Sequence, residues 1–197
     1  MTDRVSKPAP RGIAVADITV IALVAVMIVL GKTITRIPIS VSGHGGVLWI
    51  AALVIGRAIV RRPWAGTLMG VVGGLLVVMF QPSEAGPLFG ALKYIVPGMV
   101  LDGLYPLLGR FDQAVPAMLA GAAAHLSKVV VDFVQSFLLA GANSNAAKIA
   151  LVTLATETLG HLLFGILGGL LAAFVLKALI RAKIPQLRGR PEEGGAT

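Results

Sequence analysis

The sequence predicts an all-α integral membrane protein, a bundle of six transmembrane helices with both termini cytoplasmic. Composition gives the first reason: 56% of the 197 residues are hydrophobic and only 13% are charged, with a mean hydropathy of +0.88. A soluble domain of this length has no interior large enough for so much apolar surface. Segmentation gives the second. The apolar residues gather into six stretches, near 13–30, 46–60, 64–80, 88–108, 114–139 and 147–180. Most of these reach the roughly 20 residues that cross the hydrocarbon core as a helix, the form that satisfies every backbone polar group within the segment. Charge placement is the third reason. Arg4, Lys7, Arg11, then Arg57, Arg61, Arg62, then Arg110, then Lys177, Arg181, Lys183, Arg188 and Arg190 all fall on one side of a six-span arrangement. Lys32, Arg36 and Lys148 are the basic residues of the other side, and the positive-inside rule places the richer side in the cytoplasm.

The first stretch follows a basic tail, residues 1–12, and ends at Gly31-Lys32-Thr33 with no small-residue cleavage pattern. It therefore reads as a span and not as a secretory signal. Ala14, Ala22 and Ala25 interrupt its aliphatic surface. The connection to the second stretch contains Pro38, Ser40, Ser42 and His44 and closes with Gly43-His44-Gly45-Gly46, the composition of a flexible connector or of a lid over an outward-facing site. The second and third stretches are short and need their flanking residues to span. Trp49 and Trp64 lie near their ends, where Trp commonly anchors at the membrane interface. Gly66, Gly70 and Gly74 make two Gly-xxx-Gly steps in the third stretch, and Gly165 with Gly169 makes another in the sixth; such steps let helices approach closely. Residues 13–182 form the membrane domain, and the Pro- and Gly-containing residues 183–197 read as a disordered cytoplasmic tail.

The function-bearing signal is a set of ionisable side chains inside these apolar stretches: Lys93, His125, Lys128, Asp132, Glu157 and His161. Each is costly there unless it meets a partner, a cavity or a ligand. On a helix, Gly121, His125, Lys128, Asp132 and Gln135 fall within roughly an 80° arc of the fifth span. Thr153, Thr156, Glu157, Gly160 and His161 share a face of the sixth. Asp102 points away from Lys93 on the fourth span and lies nearer the cytoplasm. The expected site is an outward-opening pocket lined by Lys93, Tyr94, Lys128, Asp132, Gln135, Thr153 and Glu157, with His44 over it and Trp49 available to stack on a ligand ring. The bland alternative is mutual neutralisation, Lys128 with Asp132 at i,i+4 and Glu157 with Lys93 or Lys128 across the bundle. Ligand charge stays open: the carboxylates suit a cationic ring, and the lysines suit an anionic group.

Other classes are disfavoured. With no cysteine, thiolate and disulfide chemistry are excluded. The net charge of +8 follows from membrane topology and does not call for nucleic acid. No Gly-x-x-x-x-Gly-Lys phosphate loop is present, so any ATP-driven work needs a partner. The three histidines lack metal-ligand spacing and sit at different depths, and no nucleophile stands beside a suitably spaced base. Neither an enzyme nor a metal or cofactor site in this chain is expected.

The segments Gly43-His44-Gly45-Gly46-Val47-Leu48-Trp49, Gly56-Arg57-Ala58-Ile59-Val60-Arg61-Arg62-Pro63 and Leu92-Lys93-Tyr94-Ile95-Val96-Pro97-Gly98 resemble the substrate-binding S component of an energy-coupling factor (ECF) transporter. The Arg-Arg-Pro step is most similar to the hydroxymethylpyrimidine/thiamine branch. The resemblance spans about residues 12–182. It implies a subunit in the plasma membrane of a prokaryote that captures a vitamin or related micronutrient from outside, then associates with a membrane coupling subunit and two cytoplasmic ATPases. It also implies a ligand site between the later helices, under the loop after the first span. Two features depart from family patterns: Val26 stands four residues after Ala22 where an Ala-xxx-Ala step is common, and the chain begins Met1-Thr2-Asp3 and not with the Met-His of the nickel and cobalt branch. The reading from another class is a self-sufficient proton-coupled carrier, with Asp132, Glu157 and His161 relaying protons; a structural membrane subunit without ligand is the third.

Overall fold

The computed structural model describes residues 14–34, 43–81, 86–140 and 144–182. They form six helices with no strand among the described residues: α1 (Val15–Ile34), α2 (Gly46–Ile59), α3 (Ala65–Phe80), α4 (Pro87–Leu108), α5 (Ala114–Ala140) and α6 (Ser144–Arg181). Each expected stretch is a helix, with ends displaced by a few residues. The two tails and most of the first connection, including Pro38, Ser40 and Ser42, lie outside the described residues. Helices α1, α4, α5 and most of α6 are long and apolar enough to cross a membrane, as in a multi-pass helical membrane protein. At 14 and 16 residues, α2 and α3 reach about 21 and 24 Å, short of the ~30 Å hydrocarbon core.

The short helix α2 is the centre of the molecule. The helices close a ring in the order α1, α3, α4, α5, α6, α2, and α2 touches every other member. Its Trp49, Ile50, Leu53 and Val54 are buried at 4% exposure or less. Apolar side chains on the outer faces remain uncovered, among them Leu23, Leu75, Val130, Leu163 and Phe174, the surface a lipid environment favours.

Glycine seams set the closest approaches. Along α3, Gly66 and Gly74 face α4 so closely that an added Cβ would lie 2.7 Å from the Gly98 carbonyl and 2.8 Å from that of Ala91. Between α5 and α6, Gly121 opposes Gly165 and Gly169 in the same way. The small-residue faces are thus consumed by packing inside the bundle. In α4, Pro87 occupies the first turn, where a missing N–H costs nothing. Pro97 is interior and leaves the carbonyl of Lys93 without its usual donor four residues on.

The end of the bundle that holds both helix termini and the α2–α3 and α4–α5 turns is tied by charge. Asp102 accepts from the backbone N–H groups of Gly66 (3.0 Å) and Thr67 (2.8 Å) and from the Thr67 hydroxyl (2.7 Å). The Arg57 Nε stands 2.6 Å from the same carboxylate. Arg57 also donates to the carbonyl of Val60 at 3.0 Å, and its guanidinium lies 3.8 Å over the Tyr105 ring. A carboxylate at a helix start satisfies amides that no preceding turn can satisfy. Arg57, counted by sequence among the solvent-side basic residues, is instead buried at 3% exposure. At the same end Arg62 pairs with Asp17 of α1 at 2.8 Å.

Candidate functional site

The opposite end, where α1, α3 and α5 finish and α2, α4 and α6 begin, holds the second polar assembly. Lys93 of α4 reaches one oxygen of Asp132 on α5 at 2.5 Å. Lys128, one turn before Asp132, reaches the other at 2.9 Å. All three side chains keep between 20% and 24% of their surface exposed. Gln135, one turn further along α5, has its side-chain oxygen buried with no hydrogen-bond partner. A buried acceptor without a donor costs about 1–3 kcal/mol.

Beneath this cluster lies an aromatic and imidazole layer. Trp49 meets Tyr94 edge-on at 5.2 Å and His125 edge-on at 5.4 Å between ring centroids. His125 and His161 lie 4.6 Å apart. The His125 Nδ1 is 3.0 Å from the carbonyl oxygen of His161, and the His161 Nδ1 is 3.0 Å from that of Glu157. A carbonyl only accepts, so each Nδ1 carries a proton and donates. A Cβ on Gly46 would overlap the His125 ring, so glycine at the start of α2 is what admits this imidazole. Gly43, at φ 85°, packs against Gly160 and His161, and the His44 ring stands edge-on to Phe164 at 6.4 Å.

The register explains why these groups meet. Gly165 opposes Gly121 and His161 opposes His125, so the antiparallel pairing of α5 and α6 sets Glu157 near the level of residue 129, between Lys128 and Asp132. Helix α2 starts at the level of His125. Lys128 and Asp132 lie about 4.5 and 10 Å further along α5, beyond the α2 start. The shortness of α2 leaves the charged groups above its N-terminus.

Among the sequence-selected residues, the structure brings Lys93, Lys128 and Asp132 into one ion cluster and places Tyr94 and Trp49 together below it. Trp49 is no interfacial anchor: α2 is the central helix, and the indole is 4% exposed. Trp64, by contrast, is 64% exposed. Cross-bundle pairing of a lysine with Glu157 does not occur; both lysines converge on Asp132, and Glu157 forms no ion pair among the described residues. The side chain of Thr153 lies outside the described residues. Asp102 belongs to the other cluster, as its helical face requires. Sequence position sets His125 and His161 at different depths and outside the binding set, yet their rings are in contact. A signal for this exists in the sequence: Gly121-xxx-His125 on one helix is mirrored by His161-xxx-Gly165 on the next, and antiparallel helices seamed at their glycines bring mirrored positions together. Among the described residues no three of His, Cys, Asp and Glu converge as metal ligands.

Comparison with protein-family models, with curated proteins and with solved structures yields no match to this chain.

Proposed function

We propose that this chain is the substrate-binding S component of an ECF-type importer, which captures a vitamin-like micronutrient on the outer side of a prokaryotic plasma membrane and delivers it through a membrane coupling subunit driven by two cytoplasmic ATPases. In this reading all six helices span the membrane and both termini are cytoplasmic. The observation that carries it is the Lys93–Asp132–Lys128 cluster with the unpartnered Gln135 oxygen, built above a Trp49–Tyr94–His125 aromatic layer. Partly open charged groups over a packed aromatic floor are what a small polar ligand needs for orientation and affinity. No phosphate loop occurs in the sequence, so energy for import would come from the partner ATPases. The chain itself would bind and release without catalysis.

One observation favours the second reading, a proton-coupled carrier. The His125, His161 and Glu157 series is linked through successive backbone carbonyls, a line of titratable groups along the α5–α6 seam. The two readings separate in one experiment. The protein is purified in mild detergent without partners, and bound small molecules are identified by native mass spectrometry and analysis of the released compound. An S component is expected to carry a stoichiometric vitamin-like compound and, in liposomes, to import it only when the coupling subunit and ATPases are present. Uptake by the chain alone, driven by a pH gradient, would replace the proposal with the carrier. An empty protein that ignores a vitamin panel would overturn the S-component reading in favour of the carrier or a structural subunit.

A further inference from the structure

We infer that the ligand of this site carries an anionic group, a carboxylate or a phosphate ester, held by the ammonium groups of Lys93 and Lys128 above the N-terminus of α2. This rests on the binding reading proposed above and names the charge class of its ligand.

The argument is one of charge balance in a weakly screened place. Two ammonium groups share one carboxylate: Lys93 Nζ takes one oxygen of Asp132 at 2.5 Å and Lys128 Nζ the other at 2.9 Å. Both oxygens of Asp132 are therefore engaged, and the contact cluster retains one positive charge. Each ammonium has three N–H donors, more than its contact with Asp132 uses, and the two lysine side chains are 20% and 24% exposed. A cationic ligand approaching Asp132 would lie beside the two ammonium groups already on its oxygens and be repelled by both. An anion meets no such penalty. The backbone adds to the same sign. Helix α2 starts just below the cluster, no side chain caps it, and a helix N-terminus presents the equivalent of about half a positive charge. The other carboxylate at this level is Glu157. It makes no ion pair with either lysine among the described residues, so it does not discharge the pair by contact. This charge class runs against the cationic thiazolium that a thiamine-type ligand would bring.

Lys93 gives the test its resolution. Removing it leaves Lys128 and Asp132 as a neutral i,i+4 pair, so the fold keeps a balanced site while the excess charge disappears. The purified protein, and its Lys93→Gln and Glu157→Gln variants, are assayed by thermal shift and by native mass spectrometry against matched compounds: nicotinate and nicotinamide, pantothenate and panthenol, biotin and biotin amide, pyridoxal 5′-phosphate and pyridoxal, with thiamine as the cation. Stabilisation is expected from the acidic member of at least one pair and from neither its neutral counterpart nor thiamine. Lys93→Gln should melt close to the parent yet bind the acid about ten- to a hundredfold more weakly, the effect of one charge-assisted hydrogen bond. Glu157→Gln should bind the acid as tightly or more tightly. Should Lys93→Gln fail to fold, the Glu157→Gln result still decides. Binding of thiamine or of a neutral member, or loss of binding in Glu157→Gln, overturns the anionic assignment while leaving the binding subunit intact. No binding to any compound, with nothing co-purified, overturns both.

Discussion

Gly46 and Gly103 are both helical glycines, and they show how differently one missing methyl group can matter. A Cβ at Gly46 would overlap the His125 imidazole, whereas a Cβ at Gly103 would meet nothing within 4 Å. Gly46→Ala must displace a ring that contacts Trp49 and His161, and overpacking of this kind costs about 1–3 kcal/mol. Gly103→Ala should be neutral or stabilise by up to about 1 kcal/mol, because alanine is the better helix former. Melting of the two purified variants beside the parent checks both signs, and a Gly46→Ala protein as stable as the parent would show that the imidazole can relocate freely. Single residues are also where the sequence is hardest to read. The i,i+4 spacing of Lys128 and Asp132 announces their pairing, because helical geometry alone fixes it. The Lys93 contact depends on the rotation of α4 against α5, which periodicity does not contain. For the same reason Glu157 is an equal candidate partner in sequence and is bypassed in the fold.

Between elements, the strongest tie is the Asp102 carboxylate, which joins α4 to the first amides of α3 and to Arg57 of α2. Asp102→Ala would strand a buried guanidinium and uncap a helix together. Breaking a buried pair from one side costs about 3–5 kcal/mol, so a large loss of thermal stability is expected. The double variant Arg57→Met with Asp102→Leu should recover part of it, since the isolated charge is gone while the α3 amides stay uncapped. A double variant no more stable than Asp102→Ala would place the cost in the cap and not in the charge. The helices themselves are legible from hydropathy, because runs of apolar residues bounded by Gly, Pro and Arg leave lipid-compatible backbone little choice. Their arrangement is less so. Brevity makes α2 look like a marginal span, whereas it is the buried axis of the bundle, its exposure set by neighbours that no local pattern reveals.

At the level of the whole molecule, the two polar assemblies occupy opposite ends: a buried structural knot at the Arg57–Asp102 end, whose carboxylate bonds the first amides of α3, and a partly exposed cluster at the Lys93–Asp132 end. The proposed orientation puts the Lys93–Asp132 end outside. Because the chain has no cysteine, single cysteines can be introduced without removing any. Arg110→Cys should react with a membrane-impermeant maleimide only after cells are opened, and Lys148→Cys in intact cells; the reverse pattern would invert the topology and with it the direction in which a ligand arrives.

The chain also carries its own optical reporter. Its two tryptophans divide between environments: Trp64 at the periphery, 64% exposed, and Trp49 at 4%, wedged between Tyr94 and His125 below the lysines. Replacing Trp64 by Phe leaves a single indole whose emission arises within the floor of the proposed site. Occupancy, protonation of the neighbouring imidazole and movement of α2 against α5 then become readable from intrinsic fluorescence, with no label attached and whatever compound the protein binds.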